Sequence, residues 1–165
     1  MNDNAITDDE GMEKVVSTIK STRIAMMTQA DATGRLVSRP MATQDVDFTG
    51  TVWFIAERDT EKVRDLQANP QVNLAYAGDG SWVSLSGTAR VVDDRAKLEE
   101  LWGTFTGAWM EGGPENPENI LIEVTGDTAE YWDAPGGSKV VQLANLVKSA
   151  VTGKRVEGDN ETVDL

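Results

Sequence analysis

A chain of 165 residues with a formal net charge of −13 is long enough for one domain with a proper core, and its acidity disfavours nucleic acid and anionic membrane as partners. It contains no cysteine and no histidine. That excludes disulfides, thiolate nucleophiles, Ser-His-Asp triads, imidazole acid–base chemistry and metal sites of the usual Cys/His kind, so no metal is expected.

In chain order, Thr7 and Glu10 have the spacing of a capping box. Met12, Val15, Val16 and Ile19 then recur at helical spacing, which predicts an amphipathic helix to about Ser21. Residues 23–29 read as a strand, residues 31–34 as a turn with Gly34 free to take positive φ, and residues 35–43 as the returning antiparallel strand. Pro40 removes a ladder donor, so that strand must break, bulge or lie at an edge. Residues 51–57 are apolar and rich in β-branched and aromatic side chains, as in a strand buried on both faces. They run directly into a short helix. Asp59 and Thr60 are capping types, Val63 and Leu66 share one face, and Asn69-Pro70 ends it.

Residues 71–77 and 81–92 form the next two strands around a tight turn at Gly78-Asp79-Gly80, and Gly87 suggests a bulge or a close backbone approach. Asp93-Asp94 caps a helix carrying Leu98, Leu101, Trp102 and Phe105; residues 107–119 read as a loop. Residues 120–125 and 128–133 are expected to pair as a hairpin about Gly126-Asp127. A linker, an amphipathic helix over residues 139–152 and an acidic, turn-rich tail follow. The expected organisation is a barrel domain with an N-terminal helix over residues 1–134, and the helix with its tail over 135–165. The fold class is mainly β: sequential alternating strands favour an antiparallel barrel with α-helices. The polar, acidic start resembles no signal peptide, and no apolar run approaches membrane-spanning length, so a cytoplasmic protein is expected.

One stretch carries the chemistry. Lys62 falls in the first turn of the short helix, where unpaired backbone N–H groups and the helix dipole favour anions, most often phosphate. A solvated, charged helix end is the alternative reading. In so acidic a chain an anionic ligand needs a local cluster of positive groups, and Arg39, Arg58, Lys62 and Arg64 are the candidates. Arg39, beside Pro40 on a neighbouring strand, offers a planar fork to phosphate oxygens. No pair of carboxylates stands out from the acidic background. The chain therefore either binds something or takes its chemistry from a cofactor.

The ordered set Ser38-Arg39-Pro40-Met41, Val52-Trp53-Phe54, Thr60-Glu61-Lys62-Val63 and Asn69-Pro70-Gln71-Val72 resembles the flavin-binding split-barrel superfamily that includes pyridoxamine 5′-phosphate oxidases. With Ser86-Gly87-Thr88-Ala89 and Glu130-Tyr131-Trp132-Asp133, it is most similar to the general-stress-protein-26-like branch. The resemblance implies a six-stranded split barrel, a homodimer, and FMN in grooves between subunits, with FAD or a deazaflavin as variants of the cofactor. By position, Arg39, Thr60 and Lys62 would hold the phosphate. Pro40, Met41, Trp53 and Phe54 would border the ribityl chain and ring, and Trp109 of the second subunit would close the site. From composition alone, core packing is the alternative for Trp53 and Phe54. Trp109 would cover a ligand or plug the barrel or dimer seam. The chain departs from the true oxidases in having no histidine, an acidic tail, and Glu61 where they often carry a basic residue. Pyridoxamine phosphate oxidation is therefore not expected. An FMN-dependent oxidoreductase and a non-catalytic flavin store or sensor both fit, and no catalytic side chain is identified.

Overall fold

A computed structural model describes residues 8–44, 48–134 and 159–165. Helix α1 (Asp8–Thr22) buries Val15 and Ile19, as its periodicity requires. Arg23 takes a left-handed φ of 62°, the conformation that commonly closes a helix, and turns the chain into β1 (Ile24–Ala30). Gly34, at φ 84°, makes the turn to β2 (Leu36–Ala42). Strand β3 (Thr51–Glu57) leads through the cap Thr60 into α2 (Glu61–Ala68). Strands β4 (Gln71–Ala77) and β5 (Ser81–Val92) follow as a hairpin. Then come α3 (Arg95–Leu101), α4 (Thr104–Trp109), β6 (Asn119–Asp133) and β7 (Asp159–Asp164).

The first six strands lie in the order β2-β1-β4-β5-β6-β3, all neighbours antiparallel, with β7 paired to β6. Strands β2 and β3 are thus the two edges, which resolves the position of Pro40: it sits on an edge strand and costs no ladder bond. The edges meet where Gln44 N donates to Trp53 O at 3.0 Å, so the sheet curls into a barrel with one loosely bonded seam. Inside, Met27, Phe54, Leu74, Tyr76, Leu85, Ile122 and Tyr131 are fully buried. A second, smaller cluster of Ile55, Leu98, Leu101 and Leu121 packs α3 on the outside of β3 and β6. Strand β3 is therefore covered on both faces, as its unbroken apolar run predicts.

Three expectations are corrected. Residues 120–133 are one continuous strand rather than a hairpin. Gly126 is not a turn because it pairs with Gly87 at a register shift of β5 against β6; a Cβ on Gly87 would lie 2.3 Å from Thr125 O, so the backbones approach too closely for any side chain there. The helix after Asp94 is two helices, broken at Trp102-Gly103, and Trp109 ends the second one rather than standing in a loop. The acidic tail ends as strand β7, with Val163 buried against the core. The expected helix over residues 139–152 lies outside the described residues. Among the described residues no helix is long and apolar enough to cross a membrane.

Candidate functional site

The site lies against the barrel seam. Thr60 extends from β3 and caps α2: its hydroxyl accepts from Val63 N at 3.4 Å and donates to Glu57 O at 3.0 Å. This capping fixes the first turn of α2 and hence the start of the Lys62 side chain. A second anchor comes from β1, where the buried Gln29 donates its amide to Lys62 O at 3.0 Å.

The Lys62 ammonium turns towards the end of β2. It donates to the Met41 sulfur at 3.2 Å, a weak acceptor for a full charge. Burial, and secondarily the like charge of Arg39, hold its pKa below the ordinary 10.5, with Glu57 partly offsetting them. Arg39 lies on the same face of β2 as Met41, two residues along. Its side chain is about three-quarters covered, and its Nη2 lies 3.8 Å from Glu61 Oε2, beyond hydrogen-bond reach. Its Nη1 is buried without a partner. Two partly covered cations thus stand within each other's field, with a thioether as the acceptor for Lys62 and Glu61 3.8 Å from Arg39. Removing charge from water is costly unless it is paired, and the geometry leaves this pair able to accept an anion.

Beside it opens a cavity of about 390 Å³, within the range of small-molecule sites. Pro40 and Met41 line it from β2, Ile55 from β3, Lys62 from α2, and Phe105 and Trp109 from α4. Phe105 and Trp109 are half and three-quarters exposed, with ring centroids 6.3 Å apart and planes tilted by 48°. Gln44 and Thr106 are the buried polar groups on its wall. Among the described residues no group of His, Cys, Asp and Glu is placed to hold a metal.

Of the residues singled out from sequence, Pro40, Met41, Lys62 and Trp109 line this cavity; Arg39 does not line it but acts on Lys62, and Thr60 is the cap of α2, two residues before Lys62. Trp53 and Phe54 do not line it. Phe54 is fully buried inside the barrel, and Trp53 packs outside β3 against the α3 cluster, with the Lys97 ammonium 5.6 Å from its ring centroid. Arg58 and Arg64 are taken up by Asp93 and Asp59. Sequence reasoning missed Gln29, Gln44, Phe105 and Thr106. Only Phe105 carried a signal, at i−4 to Trp109 on one helical face.

A family model described as "Pyridoxamine 5'-phosphate oxidase like" matches residues 10–157. Protein bli-3 of Neurospora crassa is 30% identical over 165 residues, covering 92% of this chain and 78% of that protein. A general stress protein 26 from Jannaschia sp. CCS1 superposes with a TM-score of 0.76 at 26% identity, over 95% of this chain and 99% of that one. A general stress FMN/FAD binding protein from Xanthomonas citri gives a TM-score of 0.69 at 28% identity, over 79% and 93% of the two chains. The family match over residues 10–157 and the superposition over nearly the whole chain agree: this chain belongs to the pyridoxamine 5′-phosphate oxidase-like family and has the split-barrel fold of its general-stress-protein-26 branch.

Proposed function

We propose that the protein is an FMN-binding flavoprotein and an FMN-dependent oxidoreductase without pyridoxamine phosphate oxidase activity. The observation that carries this reading is the covered, under-partnered Arg39–Lys62 pair beside a cavity walled by aromatic rings and methionine, in a chain of net charge −13. A phosphate monoester supplies the anion the pair lacks, and a flat, largely apolar ring suits the walls. Arg39 and Lys62 would hold the phosphate, with Thr60 setting the turn that presents Lys62. Pro40, Met41 and Trp109 would border the rest of the cofactor. When bound, the flavin supplies hydride and electron transfer, and the protein supplies orientation and exclusion of water. The FMN/FAD binding of the Xanthomonas citri relative supports the class of ligand.

The working unit in this reading is a cytoplasmic homodimer. The outer faces of β1, β4 and β5 over residues 24–28, 73–77 and 82–86 carry no charged side chain, although the chain as a whole is strongly acidic. Ile24, Met26 and Trp82 are each more than two-fifths exposed there. Such a face suits a second copy, and Ile24 also lines the cavity, so a partner seated on it would border the site.

A second reading, a flavin store or sensor without turnover, is favoured by the composition of the cavity wall: Lys62 is its one titratable lining residue among those described. One experiment separates the readings. The purified protein is loaded with FMN, and with FAD or a deazaflavin in parallel, then exposed to nicotinamide nucleotides and candidate acceptors while the flavin absorbance is followed. An oxidoreductase reduces and reoxidises the bound flavin in cycles. A store retains it unchanged. A protein that retains none of the three contradicts both.

A further inference from the structure

Helix α4 is held in an unusual way. Of its six residues only Thr106 is buried, and Thr106 is polar. Its N-terminus is capped by Gly103 without a side-chain bond. None of its apolar residues joins either core cluster. Trp102 before it and its C-cap Met110 pack against the smaller cluster, and from within the helix one buried hydrogen bond reaches the barrel: the Thr106 hydroxyl donates to Gln44 Oε1 at 3.1 Å, across 62 residues of sequence. Gln44 is itself fixed at the seam, through its side-chain amide to Ala42 O at 3.1 Å and its backbone N to Trp53 O at 3.0 Å. Both side chains face the cavity whose other wall is Pro40, Met41 and Ile55.

We propose that Gln44 and Thr106 are positioning residues, a polar latch that holds α4, and with it the Phe105–Trp109 wall, at a fixed separation from the barrel edge. A six-residue helix cannot hold itself in water. Without the hydroxyl, Gln44 Oε1 is left buried and unpaired, a state more costly than the bond is favourable. The same glutamine joins the barrel seam through its backbone N, so the latch sets the width of the cavity from a fixed point on the barrel. Its role in seating a flat ring rests on the flavin reading; the holding of α4 does not.

The test is amide exchange by NMR on the full chain free of flavin, followed by titration with FMN. The reporters are the amides of Gly107 and Met110, which close α4 onto Gly103 O and Thr106 O. Thr106→Val should speed their exchange about tenfold while β3 amides keep their rates, and should weaken FMN by a similar factor. Thr106→Ser, which keeps the hydroxyl, should match the wild type in both. Gln44→Met is the second variant, used in the same way should Thr106→Val not fold. Unchanged α4 exchange in these variants overturns the latch. Faster exchange with unchanged FMN affinity overturns its role in the ring wall. If the wild type takes no FMN, the flavin reading fails and α4 exchange alone decides the latch.

Discussion

The Lys62 ammonium has the Met41 sulfur as its hydrogen-bond partner, at 3.2 Å. A thioether accepts weakly, and among the described residues no carboxylate pairs with this lysine. Burial and Arg39 both oppose its charge. An arriving phosphate would reverse that balance, since a neighbouring anion favours the protonated amine.

This gives a pH dependence with a definite sign. In the flavin-free protein the Lys62 pKa lies below 10.5, so in the window between its lowered value and 10.5 the unfolded chain binds more protons than the folded one. The penalty on the folded state is complete below that window and is relieved as pH rises through it. In the flavin reading, a phosphate bound beside Lys62 would raise the pKa again with uptake of a proton in that window, so FMN affinity should fall as pH rises through the lowered value. Fluorescence titrations of FMN across the alkaline range check this, and Lys62→Gln should flatten that part of the profile.

Tyr76 acts in the opposite sense. It is buried in the barrel with its hydroxyl 2.9 Å from Thr43 Oγ1, and burial pushes its pKa from 10.0 up to about 12. The stability this confers is complete below pH 10.0 and is lost as pH rises towards 12. Tyr76→Phe should cost about 1 kcal/mol at neutral pH through the missing hydrogen bond. It should also remove this group's share of the alkaline loss. Urea unfolding at neutral pH and at pH near 11 reads both.

Gly87 is fixed by close backbone approach rather than by a turn. With Thr125 O only 2.3 Å from where a Cβ would stand, Gly87→Ala must push β5 from β6 at their register shift. A loss of about 1–3 kcal/mol is expected, read as a lower urea midpoint with an unchanged m value.

Much of this was legible in the sequence, for identifiable reasons. Strands β1 to β5 alternate cleanly or carry β-branched runs, and Thr60 and Asn69-Pro70 mark both ends of α2. The Gly126-Asp127 pair looks like a hairpin turn, yet it is where β6 bulges against β5; local turn propensity gave way to pairing along the whole of β5. Strand β7, with sequence DNETVD, is too polar to read as a strand and is held by pairing with β6 and by Val163. Arg39 and Lys62 could be named because chemistry singled them out in an acidic chain. Gln44 and Thr106 could not, since a lone polar residue has no periodicity and acquires its meaning only from a partner far along the chain.

The most direct test of the site is FMN titration of Arg39→Ala/Lys62→Ala beside the wild type, with circular dichroism and thermal unfolding to verify the fold. Each charge-assisted hydrogen bond to the phosphate is worth about 1.5–3 kcal/mol, so removing both cations should leave a folded variant whose FMN affinity falls at least about a hundredfold. An equally folded variant that binds FMN as tightly as the wild type would contradict the assignment of these two cations to the phosphate.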